Sequence, residues 1–265
     1  MIRVCIAGAT GWTGSALVAA VGKSATFELT GAVARKAAGL DVGTALGGAT
    51  LGVVIRPTVA EALQAGADVL IDYSHPAAVK ANVLAALAAG VPAVIGTSGL
   101  SAQDFQELEA RAKEQGLGVI ASGNFSVTAA LAKHCALLSA KYLPYREILD
   151  YAQPDKPDVP SGSARELAEC LAQVRPTEMM KPVHELIGPQ EARGAEVAGT
   201  QVHSLRLPGY TLAFETVFGL PDERLTIRHD AGTSALPYVA GTLLAAERVL
   251  TLKGLIRGLD TLLFQ

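Results

Sequence analysis

An apolar run at the start of the chain, Ile2 to Ala7, leads directly into Gly8-Ala-Thr-Gly11-Trp-Thr-Gly14, and Ser15 to Val21 then continues as a helix. A run without polar alternation is the pattern of a strand buried on both faces of a parallel sheet. Strand, glycine turn and helix in that order form the context of a dinucleotide fingerprint. Gly8 allows the tight turn, Gly11 lets backbone approach a pyrophosphate, and Gly14 lets helix pack on strand. A plain tight turn is the competing explanation, and the position after the first strand favours the dinucleotide. Gly8, Ala9, Thr10, Gly11, Trp12, Thr13 and Gly14 are therefore candidate cofactor contacts, with Trp12 a built-in optical reporter.

Phe27 to Val33 reads as the second strand, and Ala34-Arg35-Lys36 follows at its tip. A site that prefers NAD places Asp or Glu about twenty residues after the glycine turn, on the ribose 2′-OH. Here the tip carries no acid and two cations, Arg35 and Lys36, which suit a 2′-phosphate. NADPH is the expected cofactor, with NADH also possible.

The alternation continues. Thr58 and Glu61 are spaced as a capping box, Val69 to Tyr73 is a buried strand, and Ala77 to Ala89 is a helix stopped by Gly90. Pro92 to Ile95 is a strand, Ser101 caps a helix through Gln115, and Gly118 to Ala121 is a further strand. Ligands of open parallel sheets bind beyond the carboxyl ends of the strands. That adds Gly96, Thr97, Ser98, Ser122, Gly123 and Asn124 to the candidates. His75, before Pro76 at a strand end, fits either a ligand contact or a loop cap.

After Asn124 the pattern changes. A helix from Val127 to Tyr142 precedes a strand at Arg146 to Tyr151, and Pro176 to Gly199 is irregular. Thr200 to Leu207, Leu212 to Phe218 and Arg224 to Arg228 alternate in period two, as half-exposed strands do. Leu236 to Leu250 is a closing helix. The expected fold class is α/β: an N-terminal Rossmann-type doubly wound parallel sheet plus a C-terminal α+β domain with a mixed or antiparallel sheet. The expected divisions are 1–125, 126–233, and a helical segment 234–265 that packs back on the first domain.

Composition excludes several classes. Half of the residues are hydrophobic, 18% are charged and the net charge is −3 with no basic run, which is unsuited to nucleic acid. The three cysteines, Cys5, Cys135 and Cys170, form no disulfide framework, and no His or Cys spacing marks a metal site. The longest apolar run, Val83 to Ile95, is broken by Gly90 and Pro92 and is too short for a membrane span. A soluble cytoplasmic protein is expected.

The densest chemistry lies in Asp150-Tyr-Ala-Gln-Pro-Asp-Lys-Pro-Asp-Val-Pro-Ser-Gly-Ser163. Its prolines stiffen the loop that presents Lys156. Ser161-Gly162-Ser163 then opens a helix, with Ser163 and Glu166 spaced as a capping box. Backbone N–H groups at a helix start bind anions, so Lys156 and Ser161 to Ser163 form a candidate carboxylate or phosphate site. A well-capped surface helix after a proline-rich turn is the alternative.

The order of these motifs resembles the dihydrodipicolinate reductase family over nearly the whole chain. The resemblance is carried by Gly8 to Gly14, by Asp68-Val-Leu-Ile-Asp-Tyr-Ser-His-Pro-Ala-Ala-Val79, by Val94-Ile-Gly-Thr-Ser-Gly-Leu-Ser101, by Ser122-Gly-Asn-Phe-Ser126 and by Lys156-Pro-Asp-Val-Pro-Ser-Gly-Ser163. His203-Ser-Leu-Arg206 and Leu225-Thr-Ile-Arg-His-Asp-Ala231 are also similar to family segments. It implies hydride transfer from NADPH or NADH to a cyclic unsaturated imine dicarboxylate of lysine biosynthesis, by a homotetramer built through the C-terminal sheets. Tyr73, Ser74 and Phe125 join the cofactor candidates on this ground. Ser161, Gly162 and Ser163 become substrate-binding candidates, and Lys156 and Asp155 catalytic ones.

The departures from the family lie on the substrate side. Its histidine pair, which holds the proposed proton donor, reads Ala152 and Gln153 here, and neither is a practical acid. A histidine before a threonine in the following sheet reads Glu215, before Thr216, and an arginine after the last strand reads Ser234. Asp155, Tyr151 and Lys156 are the acids left nearby. Three readings stay open: the family reaction with an altered acid, reduction of another imine or conjugated carboxylate, and a non-catalytic NADP-binding sensor.

Overall fold

The computed structural model describes residues 1–264, in which the apolar runs of the N-terminal half become parallel strands connected by helices. In chain order these are β1 (Ile2–Ala7), α1 (Trp12–Val21), β2 (Phe27–Val33), α2 (Val42–Ala45), β3 (Ile55–Arg56), α3 (Val59–Ala62), β4 (Val69–Asp72), α4 (Pro76–Ala88), β5 (Ala93–Ile95), α5 (Ala102–Gln115) and β6 (Gly118–Ala121). Then follow α6 (Val127–Ala140), β7 (Tyr145–Ala152), α7 (Gly162–Val174), β8 (Ala195–Val197), β9 (Thr200–Arg206), β10 (Leu212–Leu220) and β11 (Glu223–Ala231). The chain closes with α8 (Leu236–Arg248), β12 (Gly254–Arg257) and α9 (Leu259–Leu263). Residues Met1–Val127 and the chain from Ala235 onward form one unit, and Thr128–Ser234 another.

The first unit is a seven-stranded sheet in the order β12-β6-β5-β4-β1-β2-β3, with every neighbouring pair parallel. This is a doubly wound order extended by one strand, and its topological switch lies between β1 and β4. Their central residues, Val4 to Ala7 and Val69 to Ile71, are buried because helices cover both faces. The last segment, expected to be helical, also holds β12, which pairs with β6 through Gly254↔Gly118 to Arg257↔Ala121. Four residues between two helical stretches are too few for periodicity to reveal, and an open sheet edge selects the strand.

The second unit is a mixed sheet, β11-β10-β7-β9-β8, in which only β7 and β9 run parallel. The apolar side chains of one face, Ile148, Val202, Phe214 and Phe218, form a core with α6 and α7. Those helices meet it through small residues, Ala129, Ala132, Ala136, Ala164 and Ala168, which lets them sit close. The other face carries Glu147, Leu149, Tyr151, Glu215, Val217 and Arg228, offset by one residue as strand alternation requires.

Candidate active site

In the first unit, the sequence-predicted cofactor residues gather at the carboxyl ends of the strands. Gly8 turns with φ +80° and donates its N–H to Val33 O at 2.9 Å. A Cβ there would lie 2.2 Å from Tyr73 O, so β1 and β4 approach each other backbone to backbone at the switch point. A Cβ on Gly14 would lie 2.0 Å from Gly8 O. We therefore expect Gly14→Ala to cost about 1–3 kcal/mol in stability through overpacking and to weaken dinucleotide binding at least about tenfold, read by Trp12 fluorescence. Gly11 is the N-cap of α1 and makes no side-chain cap, so the first N–H groups of this helix have no side-chain partner from the cap position.

One buried carboxylate, absent from the sequence-predicted set, organises the neighbouring loops. Asp72 accepts from Ser74 N at 2.9 Å, Ser74 Oγ at 2.7 Å, Thr97 Oγ1 at 2.8 Å and Asn82 Nδ2 at 2.8 Å. It thereby fixes two candidate residues, Ser74 and Thr97. A single acid ending an apolar strand was the available sequence signal. Tyr73 is held inward: its hydroxyl pairs with Thr242 Oγ1 at 2.8 Å, its ring fills the space a Gly96 side chain would need, and burial pushes its pKa up. Phe125 is buried against the Tyr73 ring, so its side chain packs and leaves only backbone for a ligand. Ser122 Oγ donates to Asn124 O at 2.8 Å and accepts from Leu259 N at 3.3 Å, which shapes the Ser122-Gly123-Asn124 turn.

Within the glycine turn Ala9 is buried, Thr10 exposed and Thr13 half-buried, and Ser98, beyond β5, is exposed. Trp12 is 56% exposed and meets Tyr238 edge-on at 5.7 Å between ring centroids. Arg35 and Lys36 lie exposed beyond β2. His75 caps α4, accepting from Ala77 N at 3.2 Å.

In the second unit, Lys156 and the start of α7 come together. Lys156 Nζ pairs with Asp158 Oδ1, while Gly162 N donates to Asp158 Oδ2 at 3.3 Å. The turn is built from beneath by Asp150, which accepts from Ser161 N at 2.8 Å, Ser204 Oγ at 3.0 Å and Arg206 Nη2 at 2.8 Å. Arg206 also donates to Asp158 O at 2.8 Å and Ser161 Oγ at 3.4 Å. Burial pushes the Asp150 carboxyl up, but the hydrogen bonds from Ser161, Arg206 and Ser204 outweigh it and hold it below the usual range.

One expectation changes here. Ser163 and Glu166 form no capping box: α7 begins at Gly162, its N-cap Ser161 makes no side-chain cap, and Glu166 pairs with Lys133 of α6 at 2.8 Å. The Asp150 bond to Ser161 N sets the helix start two residues earlier than the box would. Tyr151 points away from Asp150 and donates to Glu215 at 3.1 Å, with Arg228 over its ring at 4.9 Å. Strand alternation puts it on the face opposite α7, where its hydroxyl is engaged by Glu215. Asp155 is exposed and Ser163 half-buried. A cavity of about 560 Å³ lies elsewhere, lined by Glu147, Leu149, Arg193, Gln201 and Val217, and holds none of the sequence-predicted residues.

Comparison with known proteins gives matches along the whole chain. Residues 2–125 match the family model described as dihydrodipicolinate reductase, N-terminus, and residues 125–263 match that described as dihydrodipicolinate reductase, C-terminus. The 4-hydroxy-tetrahydrodipicolinate reductase of Thermosynechococcus vestitus is 38% identical, covering 99% of this chain and 97% of that protein. The enzyme of the same name from Moorella thermoacetica is 37% identical over 99% of this chain and 98% of its own. A dipicolinate-bound dihydrodipicolinate reductase from Paenisporosarcina sp. TG-14 superposes with a TM-score of 0.88 at 30% identity, covering 99% of this chain and 100% of that one. An amine dehydrogenase from Mycobacterium smegmatis, at 16% identity and a TM-score of 0.68, shares the fold. With both halves of the chain matched in order and relatives aligned from end to end, this protein belongs to the dihydrodipicolinate reductase family.

Proposed function

We propose that this protein is an NAD(P)H-dependent 4-hydroxy-tetrahydrodipicolinate reductase acting in lysine and diaminopimelate biosynthesis. The observation that carries the substrate half is the bridging of Lys156 and the Gly162 N–H by one carboxylate, Asp158, since the same donors suit a carboxylate of the substrate. A bound reduced nicotinamide supplies the hydride. Gly8 to Gly14 receive the pyrophosphate, Ser74 and Thr97, fixed by Asp72, line its path, and the Ser122 to Phe125 turn faces the nicotinamide side. Lys156 orients the substrate carboxylate and is the proton donor we favour, because Ala152 is buried and apolar and Tyr151 is committed to Glu215. Ser161, Gly162 and Ser163 grip the carboxylate. The test is NADPH oxidation at about 340 nm with substrate generated by its synthase, where ordinary enzyme turnover of about 1–1000 per second is expected. Absence of turnover despite NADPH binding would sink this reading in favour of another imine or a silent sensor.

NADPH is the proposed preferred cofactor. Arg35 and Lys36 support this, exposed at the second strand's tip where a 2′-phosphate would meet them. Arg35→Ala is expected to weaken NADPH binding about tenfold, as loss of a charge-assisted hydrogen bond does, and to leave NADH unchanged in Trp12 quenching. Equal weakening of both would refute the assignment. No described helix is long and apolar enough to cross a membrane, and the site of action we propose is the cytoplasm. The half-exposed Leu149 and Val217 on the sheet face away from α6 and α7 support association into a homotetramer through that face. Light scattering should give a tetramer mass that Val217→Arg lowers.

A further inference from the structure

The donors assigned to the substrate carboxylate are already engaged by a carboxylate of this chain. Asp158 sits between Lys156 Nζ and the Gly162 N–H, taking one with each oxygen. Its side chain is 42% exposed and that of Lys156 is 24% exposed, so the pair lies within reach of solvent and of a ligand. The Asp158 backbone, by contrast, is anchored: its carbonyl accepts from Arg206 at 2.8 Å. Rotation of one side chain therefore frees both donors without moving the loop.

We propose that Asp158 is a resident counter-anion that the incoming substrate carboxylate displaces. Resting on the carboxylate site assigned above, Asp158 sets that site's threshold: a ligand binds only if it brings an anion that competes for Lys156 and Gly162. Neutral ligands of the same shape cannot pay back the broken pair and are rejected. While the site waits, Asp158 keeps the ammonium and the start of α7 paired. An Asp158 that only braced the loop would have the opposite signature, since its loss would loosen the donors and weaken binding.

The test is calorimetric titration of the full-length, NADPH-saturated protein with dipicolinate, in the wild type and in Asp158→Asn, Asp158→Ala and Lys156→Ala. Both Asp158 variants are expected to bind dipicolinate about two- to fivefold more tightly, the factor an exposed ion pair commands, with the gain shrinking as salt rises. Their KM should fall in parallel. Unchanged or weaker binding in both Asp158 variants, with Lys156→Ala still impaired, overturns the proposal and leaves the carboxylate site standing. Dipicolinate affinity unaltered by Lys156→Ala overturns the site assignment itself and this proposal with it. The Asp158 carboxyl faces solvent, and the Asn variant preserves its shape, so the pair of variants separates lost charge from lost packing.

Discussion

Lys156→Ala is expected to lower kcat/KM by about 100-fold or more while the NADPH dissociation constant stays within about twofold of wild type. The magnitude follows from two losses at one position. A charge-assisted hydrogen bond to a carboxylate contributes about 1.5–3 kcal/mol, and a positioned proton donor typically contributes about 10²–10⁴ in rate. The proposed nucleotide residues belong to one folding unit and Lys156 to the other, so an unchanged NADPH affinity is the expected outcome. Steady-state kinetics on generated substrate and Trp12 quenching measure the two quantities separately. A loss confined to KM would make Lys156 a binding cation only and move the proton to Asp155 or water. Turnover at the wild-type rate would remove it from the chemistry.

Arg206→Ala carries the largest expected cost in stability, about 3–5 kcal/mol, because it strands the buried Asp150 carboxylate and frees the Ser161 turn. Denaturant unfolding followed on the second unit should report it, and activity should fall as the turn loses its shape. Asp150→Ala with Arg206→Ala should cost less than the sum of the single changes, since the double variant leaves no unpaired charge. The pH dependence has a definite sign. Asp150 is held below the usual carboxylate range in the folded chain, so its contribution is fully present above the unfolded value of about 3.9. It is lost as pH falls through the lower folded value. Asp150→Asn should therefore be less stable than wild type near neutrality, and the difference should narrow in acid. An unchanged difference at low pH would show that hydrogen bonding alone, without the charge, accounts for the position.

Much of the first unit's fold was legible because its signals are local. Gly8, Gly11 and Gly14 act through their own backbones, and the strands that flank them are buried on both faces, so short windows of sequence report them. Ser101 caps the start of α5 as the sequence predicts; in the structure Asp104 completes that cap and Gly116 ends the helix in the left-handed region. Asp72 was missed for the opposite reason. Its importance arises from Ser74, Thr97 and Asn82 arriving at one point from three elements, which no single window contains. Ser163 and Glu166 illustrate a local signal overruled: the spacing was correct for a box, but a tertiary bond from Ser161 to Asp150 decided where α7 begins.

By itself, the amino-acid order determined the strand–helix alternation, the glycine turn, the change to period-two strands after residue 200 and the family resemblance. These depend on backbone freedom and on burial patterns that repeat every two or 3.6 residues. Only the tertiary structure decided that β12 completes the first sheet, that Tyr151 pairs with Glu215, and that Asp150 and Arg206 jointly shape the Ser161 turn. Each of those outcomes depends on residues brought together from distant parts of the chain, up to 136 positions apart for the Gly254↔Gly118 pair. Their energies exist only once the intervening chain has closed, and so they leave no periodic trace along it.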